Sequence, residues 1–85
     1  MIWVYLMQSS AAPARRYIGH TSDLERRIEQ HNLGLSPPTA AHRPWELIVA
    51  VLFRDLGSGV AFEKYLKSRS GRAFADAWFW TNAAR

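Results

Sequence analysis

The sequence predicts an α+β domain built on a small, mostly antiparallel sheet, with elements in the order β-β-α-β-α-α. Three observations carry this expectation. Two short apolar segments near the N-terminus have strand spacing and are separated by a turn-rich break. A helix-start signal follows the second of them directly. A longer apolar run at 45–53 stands between polar stretches, and the chain beyond it reads as helix. Eighty-five residues suffice for one core and not two, since a chain of this size buries only about 60–65% of its unfolded surface. Residues 1–85 are therefore read as a single domain.

Ile2 to Met7 (IWVYLM) is the first strand, with Ile2, Val4 and Leu6 on one face and Trp3, Tyr5 and Met7 on the other. Ser9 to Ala14 contains Pro13 and reads as a turn. Arg16 to Gly19 is a short second strand, which makes residues 2–19 a β-hairpin. Ser22-Asp23-Leu24-Glu25 has the form of a capping box, with Ser22 at the N-cap and Glu25 reaching back. The helix runs to about Asn32, and Gly34 suits the position after its end. Residues 35–43 read as a loop because of Pro37-Pro38, with Pro44 following. Trp45 to Phe53 is apolar on both faces, which predicts a central strand covered on both sides. Gly57-Ser58-Gly59 opens a helix over about 60–69, and Ser70-Gly71 breaks it. A last, aromatic-rich helix spans about 72–80, with Phe74, Ala77, Trp78 and Thr81 at core spacing and Phe79 or Trp80 as the alternative exposed aromatics.

Composition narrows the function classes. Hydrophobic residues make up 48% of the chain and aromatics 13%, which is globular and not disordered. The chain has no cysteine, so a disulfide framework, a thiolate zinc site and a cysteine nucleophile are all excluded. The three histidines, at 20, 31 and 42, include no pair at helical i, i+4 spacing, so a structural zinc site is not expected. No basic-then-apolar leader pattern is present. The longest apolar run, Leu47 to Phe53, falls well short of the roughly 20 residues that span a bilayer. A membrane partner is not expected, and the cytoplasm is the default compartment. Eleven basic and seven acidic residues give a net charge of +4. Nine of the cations are Arg, whose planar fork suits phosphate. A GC-rich genome also enriches Arg and Ala, so the charge alone says only that an anionic partner suits the chain.

The first helix distinguishes its two adjacent arginines. With Leu24 and Ile28 on the apolar stripe, Arg27 and His31 point within roughly 60° and 20° of Leu24, and Arg26 points roughly 200° away. Arg26 is an ordinary solvated charge. Arg27 and His31 flank the face that docks on the sheet, where a guanidinium needs an anion or a hydrogen-bonding partner. Tyr5 and Tyr17 can share one face of the paired strands, and Gly19 leaves space beside Tyr17.

At these residues the chain resembles the GIY-YIG nuclease superfamily, and in particular its small single-domain bacterial members. The resemblance rests on Trp3-Val4-Tyr5, on Tyr17-Ile18-Gly19, and on the helix from Ser22 to Asn32. It continues through His42-Arg43-Pro44-Trp45-Glu46-Leu47, Phe62-Glu63-Lys64-Tyr65-Leu66-Lys67-Ser68 and Ser70-Gly71-Arg72-Ala73-Phe74, and so covers nearly the whole chain. Trp3 departs from the pattern, standing where the first motif has Gly; it supports a strand and carries no chemistry. The resemblance implies a three-stranded antiparallel sheet flanked by helices.

It also implies a metal-dependent endonuclease acting on DNA, with RNA as the less expected substrate. Tyr17 matches the tyrosine that acts as general base or positions the attacking water. Tyr5 matches the first-motif tyrosine, which hydrogen-bonds the phosphate or nucleophile. Arg27 matches the helical arginine on the scissile phosphate, and His31 a Tyr or His position one turn on. Glu63 matches the single carboxylate that binds the divalent metal, Mg²⁺ or Mn²⁺. His20 stands where several relatives place a Lys near the base tyrosine. These residue types fit the chemistry. Phosphodiester hydrolysis needs an activated nucleophile, positive charge on the phosphoryl oxygens and help for the leaving oxygen. A phenol titrating near 10 needs a neighbouring cation or metal-bound water to act as a base, and His20 and Arg27 are the candidates.

Glu63 opens a run of cations without acids, Lys64, Lys67, Arg69 and Arg72, which suits a phosphate backbone or simply a solvated helix flank. His42 and Arg43 are further nucleic-acid-binding candidates. Two other readings stay open: a non-catalytic nucleic-acid-binding module of the same fold, and an interaction or oligomerisation domain using Trp78, Phe79 and Trp80. Repair and homing relatives attach a separate DNA-binding domain. Here the corresponding expectation is either weak, structure-directed cleavage or a protein partner supplying specificity.

Overall fold

A computed structural model describes residues 1–80; the Thr81 expectation lies outside them. Strand β1 (Ile2–Ser9) is followed by β2 (Arg16–Thr21), helix α1 (Leu24–Asn32), a one-turn helix α2 (Pro37–Ala40), β3 (Trp45–Phe53), α3 (Leu56–Leu66) and α4 (Arg69–Trp78). The sheet is antiparallel in the order β2-β1-β3. The expected α+β class and the flanked three-stranded sheet are both present.

The alternation along β1 divides the core in two. Val4 and Leu6 face a cluster with Leu66, Ala75 and Trp80. Tyr5 and Met7 face the other side, with Trp45 and the helix residues Leu24 and Ile28 packed near them. The sheet is thus the middle of three layers, with α1 on one face and α3–α4 on the other.

The central strand is β1, not β3 as its apolarity suggested. Helices on both faces make any strand of this sheet apolar on both sides, edge or centre. Hydropathy reports what covers a strand and not which neighbours bond its backbone. Leu47 and Leu52 on β3 remain 39% and 45% exposed, as an edge strand allows. The β1–β3 register slips at Leu6/Met7, so Leu6 faces Val49 and Met7 faces Leu47. This bulge keeps Trp45 on the α1 face.

Helix boundaries moved where several residues compete for the cap. Asp23, not Ser22, caps α1, with its carboxylate accepting from the Arg26 amide at 3.2 Å. Strand β2 continues to Thr21, so the extended residue before the helix falls one position later. Gly34 does follow α1, at φ 79°. Residues 35–43 are not all loop: Pro37-Pro38 begins α2, where a missing amide proton costs nothing. Helix α3 starts four residues before the expected Val60, capped by Asp55, whose carboxylate accepts from the Ser58 amide at 2.8 Å. Gly59 inside it is buried against Ile2, where any side chain would collide. Helix α4 starts at Arg69 behind its cap Ser68, and Ser70-Gly71 lies within it.

The earlier start changes which aromatics are buried. Gly71 and Ala75 face the core, while Trp78 is 70% exposed and Phe74 37%. The chain then folds inward after Trp78: the Phe79 and Trp80 amides both donate to the Ala75 carbonyl, and Trp80 is buried. The helical spacing Phe74–Ala77–Trp78 therefore marks the outer face, and core closure falls to Ala75, Phe79 and Trp80.

Candidate active site

The site begins with the pairing of β1 and β2. Tyr5 lies opposite Gly19 in the register, and Tyr17 precedes it by two residues on the same face. The two phenol rings meet over this glycine, with centroids 6.2 Å apart. A Cβ at Gly19 would stand 2.7 Å from the Tyr5 oxygen and 3.0 Å from the Tyr17 ring. The tyrosines can approach only because that position has no side chain.

Helix α1 lays Arg27 and His31 on this face, as its wheel predicted. Arg26 is exposed, Arg27 half-buried and His31 fully buried. Arg27 is steadied by Gln30 Oε1 at 3.2 Å and Ser36 Oγ at 3.3 Å. His31 Nε2 lies 2.8 Å from the Tyr5 hydroxyl and Nδ1 lies 2.7 Å from Thr39 Oγ1. Thr39 Oγ1 in turn reaches the Ser36 carbonyl at 3.3 Å. One assignment gives every proton in this chain an acceptor. Thr39 donates to Ser36, His31 Nδ1–H donates to Thr39, and Tyr5 O–H donates to His31 Nε2.

Burial keeps both Tyr5 and His31 of that chain neutral. Burial pushes the Tyr5 phenol up to about 12, against the lowering influence of nearby Arg27. Burial likewise pushes His31 down to about 4, and the positive charge of Arg27 adds to this. A phenol and an imidazole shifted in these directions do not exchange a proton near neutrality. Tyr5 is therefore a fixed neutral hydrogen-bonding group. Tyr17, half-buried, packs by its ring on Tyr5 and on His31, the latter at 5.0 Å.

Glu63 reaches the same sheet edge from α3, on the opposite face. Its Oε1 meets His20 Nδ1 at 2.5 Å and its Oε2 accepts from Lys67 Nζ at 2.7 Å. Burial alone would raise its carboxyl, but the hydrogen bonds from Lys67 and His20 outweigh that and hold it below the usual carboxylate range. Glu63 is thus an ionised, mostly covered oxygen donor. Among the described residues no group of three or more His, Cys, Asp or Glu gathers to hold a metal by protein ligands alone. The donor chemistry fits a hard cation that keeps several waters, and it does not fit zinc. A cation on Glu63 would replace at least one of its two present partners.

Of the other expected residues, Lys67 is drawn into this site and Arg72 lines a cleft beside it. Lys64 and Arg69 are exposed. His42 and Arg43 serve the loop before β3. The His42 carbonyl accepts from Ser9 Oγ at 2.7 Å, and Arg43 Nε donates to the Ala40 carbonyl at 2.8 Å. Sequence reasoning missed Ser36 and Thr39, the buried partners of Arg27 and His31. A Ser and a Thr in a proline-containing segment read as turn residues, and nothing local marks them as facing α1.

Residues 1–75 match the family model described as the GIY-YIG catalytic domain. The chain is 39% identical over 67 residues to the structure-specific endonuclease subunit SLX1 of Scheffersomyces stipitis, a match over 71% of this chain and 20% of that relative. It is 39% identical over 71 residues to the SLX1 subunit of Yarrowia lipolytica, over 75% of this chain and 25% of the relative. The chain thus spans about a fifth to a quarter of the length of these relatives. The solution structure of the UPF0213 protein BH0048 from Bacillus halodurans shares the fold, with a TM-score of 0.55 at 23% identity over 95% of this chain and 89% of that one.

Proposed function

Because the chain belongs to the GIY-YIG catalytic-domain family, we propose that it is an endonuclease that hydrolyses phosphodiester bonds, with a DNA strand as the expected substrate and RNA as the alternative. The supporting observation is the meeting of Tyr5, Tyr17, Arg27 and His31 on one face of the hairpin, with an ionised Glu63 at the same edge.

In this reading Arg27 holds the scissile phosphate and stabilises the charge that builds on its oxygens. It already stands beside the tyrosines, braced by Gln30 and Ser36, so little reorganisation is required. Tyr5 donates its O–H to His31 Nε2 and presents its oxygen as a fixed acceptor that orients the attacking water. That leaves Tyr17, half-buried beside Tyr5 and His31, as the tyrosine that positions or deprotonates the water. A divalent cation, Mg²⁺ or Mn²⁺, bound by Glu63 and water would neutralise charge on the phosphate and the leaving oxygen. Hydrogen bonds from His20 and Lys67 orient Glu63 in the absence of substrate.

The relatives are named as subunits of structure-specific endonucleases. By that analogy the proposed substrate has a junction or flap, and a partner protein supplies part of the specificity. No helix among the described residues is long and apolar enough to cross a membrane.

The test is a nuclease panel of single-stranded, duplex, flapped and branched DNA, plus RNA, with Mg²⁺, Mn²⁺ or EDTA. Cleavage is expected with metal and not with EDTA. Tyr17→Phe, Arg27→Ala and Glu63→Ala should each lower the rate by about 10²-fold or more, with an unchanged circular-dichroism spectrum. Wild-type turnover by Glu63→Ala in Mg²⁺ would refute the metal-ligand role.

A further inference from the structure

The sheet edge that carries Tyr17 also walls a second cleft, of about 550 Å³, between β2 and helices α3 and α4. Its volume is in the range of pockets that take small organic groups. Its floor is apolar, from Ile18 and Leu66, and its rim carries Arg16, Lys67, Arg72 and Asp76. Three cations against one acid make the rim a place for an anion. The Arg16 guanidinium lies 4.6 Å over the Trp80 ring, and its Nη1 is 3.4 Å from Asp76 Oδ1. The ring and the carboxylate fix a long side chain in place before any ligand arrives, which lowers the ordering cost of binding.

The cleft is continuous with the site already described. Tyr17 lines the cleft and packs on Tyr5, while Lys67 lines it and bonds to Glu63. A strand whose scissile phosphate rests on Arg27 would meet this cleft next along the edge of β2. Lys64 and Arg69, in the same cation run, do not line it.

We propose that this cleft binds the nucleotide next to the scissile phosphate on the substrate strand, with Arg16 and Arg72 holding its phosphate and the apolar floor taking the sugar or base. The proposal rests on the nuclease reading and deepens it by adding a strand path. Asp76 is the resting partner of Arg16, and a bound phosphate takes its place. Asp76 therefore competes with the substrate for that guanidinium.

The assay is fluorescence anisotropy of a short labelled single strand in EDTA, once with DNA and once with RNA, titrated with salt. Arg16→Ala and Arg72→Ala should each weaken binding by about threefold and flatten the salt slope by about 0.7 per lost phosphate contact. Asp76→Asn should tighten binding, whereas a merely structural Arg16–Asp76 pair predicts no gain. Arg26→Ala, on the far side of α1, should leave affinity unchanged. All four positions are exposed, so a thermal melt can confirm that each variant folds. Wild-type affinity in both Arg16→Ala and Arg72→Ala, or no binding by the wild type, would overturn the cleft even if the protein cuts DNA. Weakened binding by both variants supports the cleft even if the wild type cuts nothing, in which case the nuclease reading alone fails.

Discussion

His31 is a polar residue on the sheet-facing side of α1. It is charged or polar in most settings, yet here it is fully buried between Tyr5 and Thr39. Its burial has a consequence for stability. In the folded chain it binds a proton only near pH 4, whereas the ordinary value is 6.5. Between those two pH values the unfolded state holds the extra proton, so acid favours unfolding. The His31 contribution is complete above about pH 6.5 and is lost as pH falls toward about 4, to a total of about 3 kcal/mol. Urea unfolding on either side of this window should show the loss, and His31→Gln should reduce it. Thr39→Val leaves the His31 Nδ1 proton without an acceptor and should cost about 1–3 kcal/mol by the same measurement. Gly19→Ala drives a methyl group against the Tyr5 oxygen and the Tyr17 ring. It should destabilise by about 1–3 kcal/mol and slow cleavage beyond what the lost stability explains. The sequence placed both tyrosines, Gly19, Arg27 and His31 on one face, because strand and helix periodicities are local properties.

Helix α1 shows where local periodicity stops being sufficient. Thr21, Ser22 and Asp23 are consecutive residues that can all cap a helix. Which one does so depends on where β2 leaves the sheet, and that is set by pairing with β1 through Trp3↔Thr21. Asp23→Ala should therefore cost about 1 kcal/mol, and Ser22→Ala should stay within about 0.5 kcal/mol, both read from thermal melts. The same kind of ambiguity moved α3 and α4. Their glycines resemble breaks in one dimension. In three dimensions Gly59 allows α3 to lie against Ile2, and the caps Asp55 and Ser68 restore the hydrogen bonds at each start.

The domain as a whole is closed by its last described turn. Trp80 fills the α3–α4 side of the sheet beside Val4, Leu6 and Leu66, whereas Trp78, two residues earlier, lies in solvent. Trp80→Ala should cost about 3–5 kcal/mol and Trp78→Ala less than about 0.5 kcal/mol, as measured by urea unfolding. The reverse ranking would mean that the helical spacing of Phe74 and Trp78 marks the core after all.

The strands, their two faces, the orientation of α1 and the order of the motifs were all legible along the chain. Each depends on residues within a turn or two of one another. The central place of β1, the buried Tyr5–His31–Thr39 chain and the His20–Glu63 pair were not legible in that way. Tyr5 and His31 are 26 residues apart and His20 and Glu63 are 43 apart. Such partners meet only when separate segments pack, and periodicity carries no record of which segments do. The charge shows the same division. A net +4 is fixed by composition, but packing separates Arg27 on the tyrosines from Arg16 over Trp80 and Arg26 in solvent.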